Sequence, residues 1–190
     1  MAMDDGRHPR ASYADIEALP PHILGELIRG RLYTHARPAL RHLHGASRLN
    51  LLLGRHYAEE IGSNGGWWFL EEPELHLLDD VVIPDLAGWR VERVPHLPDV
   101  AYYTMPPDWV CEVLSPSTAM IDRTIKMPLY AKAGVSHLWL LDPALRTLEV
   151  FAREGARWLL LGVHAEDTRV RAEPFSAIEL NLDVLWLRSR

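Results

Sequence analysis

The chain has 190 residues, a net charge of −6 and a pI near 5.9, with 48% hydrophobic and 24% charged residues. That balance suits one folded domain with its own core, and the acidity argues against a protein that coats nucleic acid by bulk electrostatics. The single cysteine, Cys111, excludes an internal disulfide and a cysteine-based zinc cluster. No apolar run is long enough to span a bilayer, and the start, MAMDDGRHPR, lacks a secretory core, so a cytoplasmic protein is expected.

In chain order, residues 1–11 read as a flexible lead and 12–190 as a single domain. SYADIEAL (12–19) predicts a short helix with Ser12 as its cap, broken by Pro20 and Pro21. Residues 22–28 continue the amphipathic pattern and lead through Gly30 into a strand over 31–35. A second helix is predicted over 39–61, with Leu43, Ala46, Leu49, Leu53 and Tyr57 on its packed side. Arg41, Arg48 and Arg55, seven apart, share the opposite side with His44. No Asp or Glu occurs from Leu27 to Ala58, so this helix offers a candidate surface for a phosphate backbone. A solvated helix face is the simpler reading of the same spacing.

SNGG (63–66) marks a turn, and short strands follow over 67–70, 74–78, 81–83 and 86–90. Residues 91–107 carry four prolines and read as loop. WVCEVL (109–114) is an apolar run with one carboxylate at its centre, the pattern of a buried strand. A helix over 115–134 closes at Gly134, a second buried strand covers 135–141, and a hairpin turns at Glu154–Gly155 before a last strand and an apolar tail. The order of elements predicts a mixed α/β fold, a central mixed sheet flanked by helices.

Three acidic positions stand out. Glu112 would be costly to bury in WVCEVL without a cation, a hydrogen-bond network or an opening to solvent. Asp85 raises the same question after VVIP. Two carboxylates on neighbouring strand ends suit a hard divalent cation; an arginine partner for each, from the eighteen in the chain, is an equal reading. Asp122 and Lys126, four apart, share a face of the helix that follows the Glu112 strand. An exposed ion pair would explain them, as would a lysine that orients water or stabilises charge at phosphorus.

The segments GELIRGRL (25–32), PDLAGWR (84–90), PPDWVCEVLSPST (106–118) and DRTIKMPLYAKAGVSHLWLLDP (122–143) resemble the Uma2 family, described also as a domain of unknown function and as restriction endonucleases. The resemblance implies a PD-(D/E)XK nuclease core, and it spans nearly the whole chain. On it, Asp85 matches the aspartate of the motif, Glu112 its second acid, and Glu26 the acid carried by the first core helix. The motif lysine would stand two residues after Glu112, where this chain has Leu114; Lys126 on the next helix takes the matching place.

His44 and Tyr130 also match recurrent positions, Tyr130 reading as core packing with a hydroxyl that needs a partner. What the resemblance implies is a Mg²⁺- or Mn²⁺-dependent endonuclease on DNA, with Asp85, Glu112 and Glu26 holding metal and Lys126 assisting the chemistry. A homodimer is expected by analogy with the fold. The alternative is a catalytically silent member that binds DNA or assembles with partners.

Overall fold

Pro20 and Pro21 end the first short helix, α1 (Tyr13–Glu17), and a hairpin follows, not the helical continuation expected over 22–28. Strand β1 (Leu24–Ile28) pairs antiparallel with β2 (Arg31–His35) through a two-residue turn. Arg29 and Gly30 in that turn both have positive φ, 54° and 72°. Turns of this hand match the twist of paired strands, and Gly30 adopts the conformation without steric cost. The turn chemistry overrides the apolar spacing of 22–28, and Glu26 therefore stands on a strand, not on a first core helix.

The computed structural model describes residues 10–35, 37–58 and 66–187. Most of the expected lead (1–9), the end of the expected second helix (59–61) and most of SNGG lie outside the described residues. Ala11 is already tied to the hairpin, its N–H donating to the Gly30 carbonyl at 2.9 Å. Among the described residues no helix is long and apolar enough to cross a membrane.

Helix α2 (Leu40–Tyr57) packs through Gly45, Leu49, Leu53 and Tyr57. Leu43, expected on the packed side, is 47% exposed, because the first turns of α2 overhang a cavity before the helix reaches the sheet. The large sheet contains β3 (Trp67–Glu71), β6 (Leu86–Arg90), β7 (Trp109–Val113), β8 (His137–Asp142), β9 (Thr147–Glu154) and β10 (Arg157–Ala165). Their order is β10-β9-β8-β7-β6-β3, antiparallel except for the parallel pair β7–β8. A parallel pair needs a crossover, and the helical segment between β7 and β8 provides it. A smaller sheet, in the order β2-β1-β5-β4, holds β4 (Leu75–Leu77) and β5 (Asp80–Val82).

The crossover is a helix with a change of gauge. It starts at Ala119 rather than at residue 115, because Ser115 and Thr118 form a hydroxyl-bonded turn ahead of it. It runs as α3 (Ala119–Ile121), a π-helical turn (Asp122–Lys126) and α4 (Met127–Ala133), and Gly134 caps it at φ 95°. Pro128, just inside α4, has no N–H to return to the preceding turn, so the ladder is already interrupted where the widened turn sits. Of the three charged residues of that turn, Arg123 is exposed and Asp122 and Lys126 are buried.

Alternation along β7 sorts the core into two parts. Trp109, Cys111 and Val113 enter one hydrophobic cluster with Leu49, Leu53, Trp139 and Phe175. Val110 enters the other with Val82, Tyr130, Leu138 and Leu140. Glu112 points to this second side, between the two sheets.

Candidate functional site

Four acidic residues and one lysine converge from four segments. Glu26 comes from β1, Asp85 from the link between β5 and β6, Glu112 from the centre of β7, and Asp122 and Lys126 from the π-helical turn. Exposure is 0% for Glu26, 2% for Glu112, and 3% for Asp122 and Lys126. The Lys126 ammonium lies 2.8 Å from Glu112 Oε1, 3.0 Å from Glu26 Oε1 and 4.0 Å from Asp122 Oδ1. It also donates to the Ile83 carbonyl at 3.1 Å. An α-helical i,i+4 pair usually projects into solvent; here the widened turn aims both side chains inward.

The remaining polar atoms are anchored. Glu26 accepts from the Ile83 N–H through Oε1 at 2.7 Å, and its Oε2 meets His35 Nε2 at 2.6 Å. Tyr130, fully buried on α4, donates its hydroxyl to Glu112 Oε1 at 2.6 Å. Asp85 Oδ2 accepts the N–H of Val113, the residue next to Glu112, at 2.7 Å. Asp85 Oδ1 meets His42 Nε2 at 2.8 Å. Asp85, Glu112, Asp122 and Lys126 all line one cavity of about 850 Å³, walled by the start of α2, the end of β2 and the 115–118 turn.

The charges do not balance, and the protonation preferences follow from that. Burial raises the Glu26 carboxyl, but Lys126, His35 and the Ile83 N–H outweigh it and bring it down to about 2. Burial would depress Lys126, yet Glu112 and Glu26 hold its ammonium well above the usual amine range. One ammonium cannot serve four carboxylates. Burial lifts Glu112 well above the carboxylate range, with Asp122, Asp85 and Glu26 adding to the effect against Lys126. Burial likewise raises Asp122 to about 6, Lys126 and a Thr118 hydrogen bond resisting while Asp85 and Glu26 add to the rise.

The donor set fits a hard divalent cation in its chemistry: carboxylate oxygens, an excess of negative charge and an open cavity over them. Among the described residues no three His, Cys, Asp or Glu side chains already close on one point as a ligand cage. Glu26 does not line the cavity, whereas Asp85, Glu112 and Asp122 do and present carboxylates to it.

Of the residues singled out from the sequence, Glu26, Asp85, Glu112, Asp122, Lys126 and Tyr130 come together. Arg41, Arg48 and Arg55 are exposed along α2, but none lines the cavity. His44 turns away from it, its Nε2 lying 3.2 Å from the Val184 carbonyl near the C-terminus. The histidines that reach the carboxylates are His35 and His42, and both were missed. His35 was legible in principle: once the hairpin is recognised, Glu26 faces Tyr33 and lies diagonally across from His35. His42 had no local signal, since only the docking of α2 brings it to Asp85.

A family model described as "Putative restriction endonuclease", Uma2, matches residues 11–184. Among solved structures, one described as "a putative nuclease belonging to DUF820", from Anabaena variabilis ATCC 29413, superposes with a TM-score of 0.66. It is 21% identical, and the match covers 85% of this chain and 89% of that one, which establishes a shared fold. No curated protein matches the chain. With 174 consecutive residues (11–184) matched to its model, the chain belongs to the Uma2 family.

Proposed function

We infer that the protein is a divalent-metal-dependent nuclease that hydrolyses phosphodiester bonds in DNA. The observation that carries this reading is the buried group of three carboxylates, Glu26, Glu112 and Asp122, around one ammonium, with the half-buried Asp85 beside them at the edge of a cavity. Asp85 and Glu112 would hold Mg²⁺ or Mn²⁺, with Glu26 contributing through water or through its grip on Lys126. When bound, such an ion polarises the scissile phosphate and lowers the pKa of a nearby water.

The chain's own residues supply the rest. Lys126 brings a permanent positive charge beside Glu112, where charge developing on phosphate oxygens or on the attacking water is stabilised by a preorganised donor. Glu26 keeps Lys126 charged and in place. Tyr130 and the Val113 N–H fix Glu112 and Asp85 relative to each other. His42 orients Asp85 from the first turn of α2, as an outer partner of a ligand does in metal sites. The products would be a 5′-phosphate and a 3′-hydroxyl, and a homodimer would let two such sites cut both strands.

The test is cleavage of plasmid and single-stranded DNA with Mg²⁺ or Mn²⁺, comparing wild type with Glu112→Ala. Cleavage by wild type alone is expected, and equal cleavage by both assigns the activity to a contaminant. One observation favours a second reading, a catalytically silent binding module: Lys126 already occupies an oxygen of both Glu112 and Glu26, and no ligand cage is closed among the described residues. Calorimetry with Mn²⁺ separates the two, since the silent module shows no heat of binding that Glu112→Ala removes.

A further inference from the structure

The two edges of the six-stranded sheet are finished differently. At one edge β3 lies beside α2, and only Glu71 at its end is exposed. At the other edge α4 meets β10 at Trp158, whose ring N–H donates to the Met127 carbonyl at 2.8 Å, and among the described residues no further strand pairs with β10. Leu159, Leu160, Leu161 and Val163 are 50%, 49%, 45% and 57% exposed. Edge strands in soluble proteins are normally short, charged or covered, because a bare apolar edge invites another strand. β10 is long, and from Leu159 to Val163 it is uncharged, its leucines and valine exposed. Its apolar side chains are contiguous, and a bulge between Leu160 and Gly162 lets neighbouring leucines project to both faces of the strand.

The strand is also complementary to itself. It begins at the exposed Arg157 and ends just before the exposed Glu166. Laid antiparallel against a second copy, its apolar centre meets the same centre. Arg157 of each copy then falls beside Glu166 of the other, a carboxylate that among the described residues of its own chain meets only Arg146, at 3.5 Å and on the exposed surface. An interface that uses one patch twice about a two-fold axis closes on itself and stops at two copies. Opposite charges across paired strands reinforce that register, whereas a parallel arrangement would set like charges together.

We propose that the β10 edge is a homodimer interface, two copies associating antiparallel about an axis near Leu161. This extends the large sheet across both subunits and buries the exposed Leu159, Leu160 and Val163 of each. It stands independently of the nuclease reading, because none of these residues lines the cavity.

The experiment is sedimentation velocity of the full chain over a concentration series, with light scattering for mass. Wild type is expected to be a dimer, and the double variant Leu159→Lys, Leu161→Lys a monomer with an unchanged circular dichroism spectrum. A charge swap keeps the proposal testable if that variant fails to fold. Arg157→Glu and Glu166→Arg should each weaken the dimer about tenfold, and the combined variant should restore it. A wild type that stays monomeric at every concentration overturns the proposal. So does a dimer indifferent to all these substitutions, or open-ended assembly in place of a closed pair.

Discussion

On one face of β7, Trp109, Cys111 and Val113 enter an aromatic cluster in which Trp109, Trp139 and Phe175 meet edge to face at 5.3–5.6 Å. On the other face, one residue over, Glu112 meets Lys126 and Tyr130 at 2.8 and 2.6 Å. Both faces are equally shielded from water, since every residue of β7 is buried. The first face gains from burial itself, and its thiol is inert, burial raising the Cys111 pKa well above its usual value. The second loses on burial unless each charge is paired, and a buried ion pair at best offsets its own desolvation. A strand can therefore carry stability on one side and chemistry on the other, and the second side persists because the first supports it.

The largest way to break this contrast is Lys126→Met, which leaves Glu112 and Glu26 buried without their cation. A loss of about 3–5 kcal/mol in urea unfolding is expected, with part of it returned by adding Glu112→Gln. A loss no larger than that of an ordinary surface substitution would mean the carboxylates do not depend on Lys126.

Acid should sharpen the contrast next, in protein stripped of divalent ions. Asp122 has a folded pKa of about 6 against 3.8 for a free aspartate, so the folded state binds its proton more tightly than the unfolded state. Stability from this group therefore rises as pH falls from about 7 to about 4, by up to about 3 kcal/mol. Glu26 behaves oppositely: held at about 2 against 4.5 for a free glutamate, it stabilises fully above the free value and loses its contribution as pH drops from about 4.5 to about 2. Thermal melts across this range should show a larger gain in wild type than in Asp122→Asn, since the raised Glu112 carboxyl adds a rise of the same sign to both; parallel profiles for the two proteins would refute the assignment.

The smallest effect lies on the aromatic face. Trp139 donates its ring N–H to the Glu173 carbonyl at 2.7 Å, whereas the buried Trp109 N–H has no hydrogen-bond partner. Trp139→Phe should therefore cost about 1 kcal/mol more than Trp109→Phe in chemical denaturation. The reverse order would show that the Trp109 donor is satisfied in solution, for instance by the face of a neighbouring ring.

Much of this was legible in the amino-acid order, and the failures are specific. The apolar run around Glu112 marks a buried strand with a misplaced charge, and Gly134 marks the end of the crossover helix, both local signals with local causes. The seven-residue apolar pattern over 22–28 suits a helix or a doubly buried strand equally, and only the Arg29–Gly30 turn decides between them. Helical spacing and the family resemblance both point to His44 on α2, while the angle at which α2 docks brings His42 to Asp85.

By itself the sequence determined which residues were out of place: a glutamate in a dry strand, an aspartate after VVIP, and an acid–base pair four apart on the next helix. Local propensity and burial cost suffice for that, since they depend on near neighbours in the chain. Only the tertiary structure decided that these charges share one cavity, that the π-helical turn aims Lys126 at Glu112, and that β10 ends the sheet with its leucines exposed. Those facts depend on how distant segments pack, and no residue's own neighbours in the chain encode where the other partner of a contact will arrive.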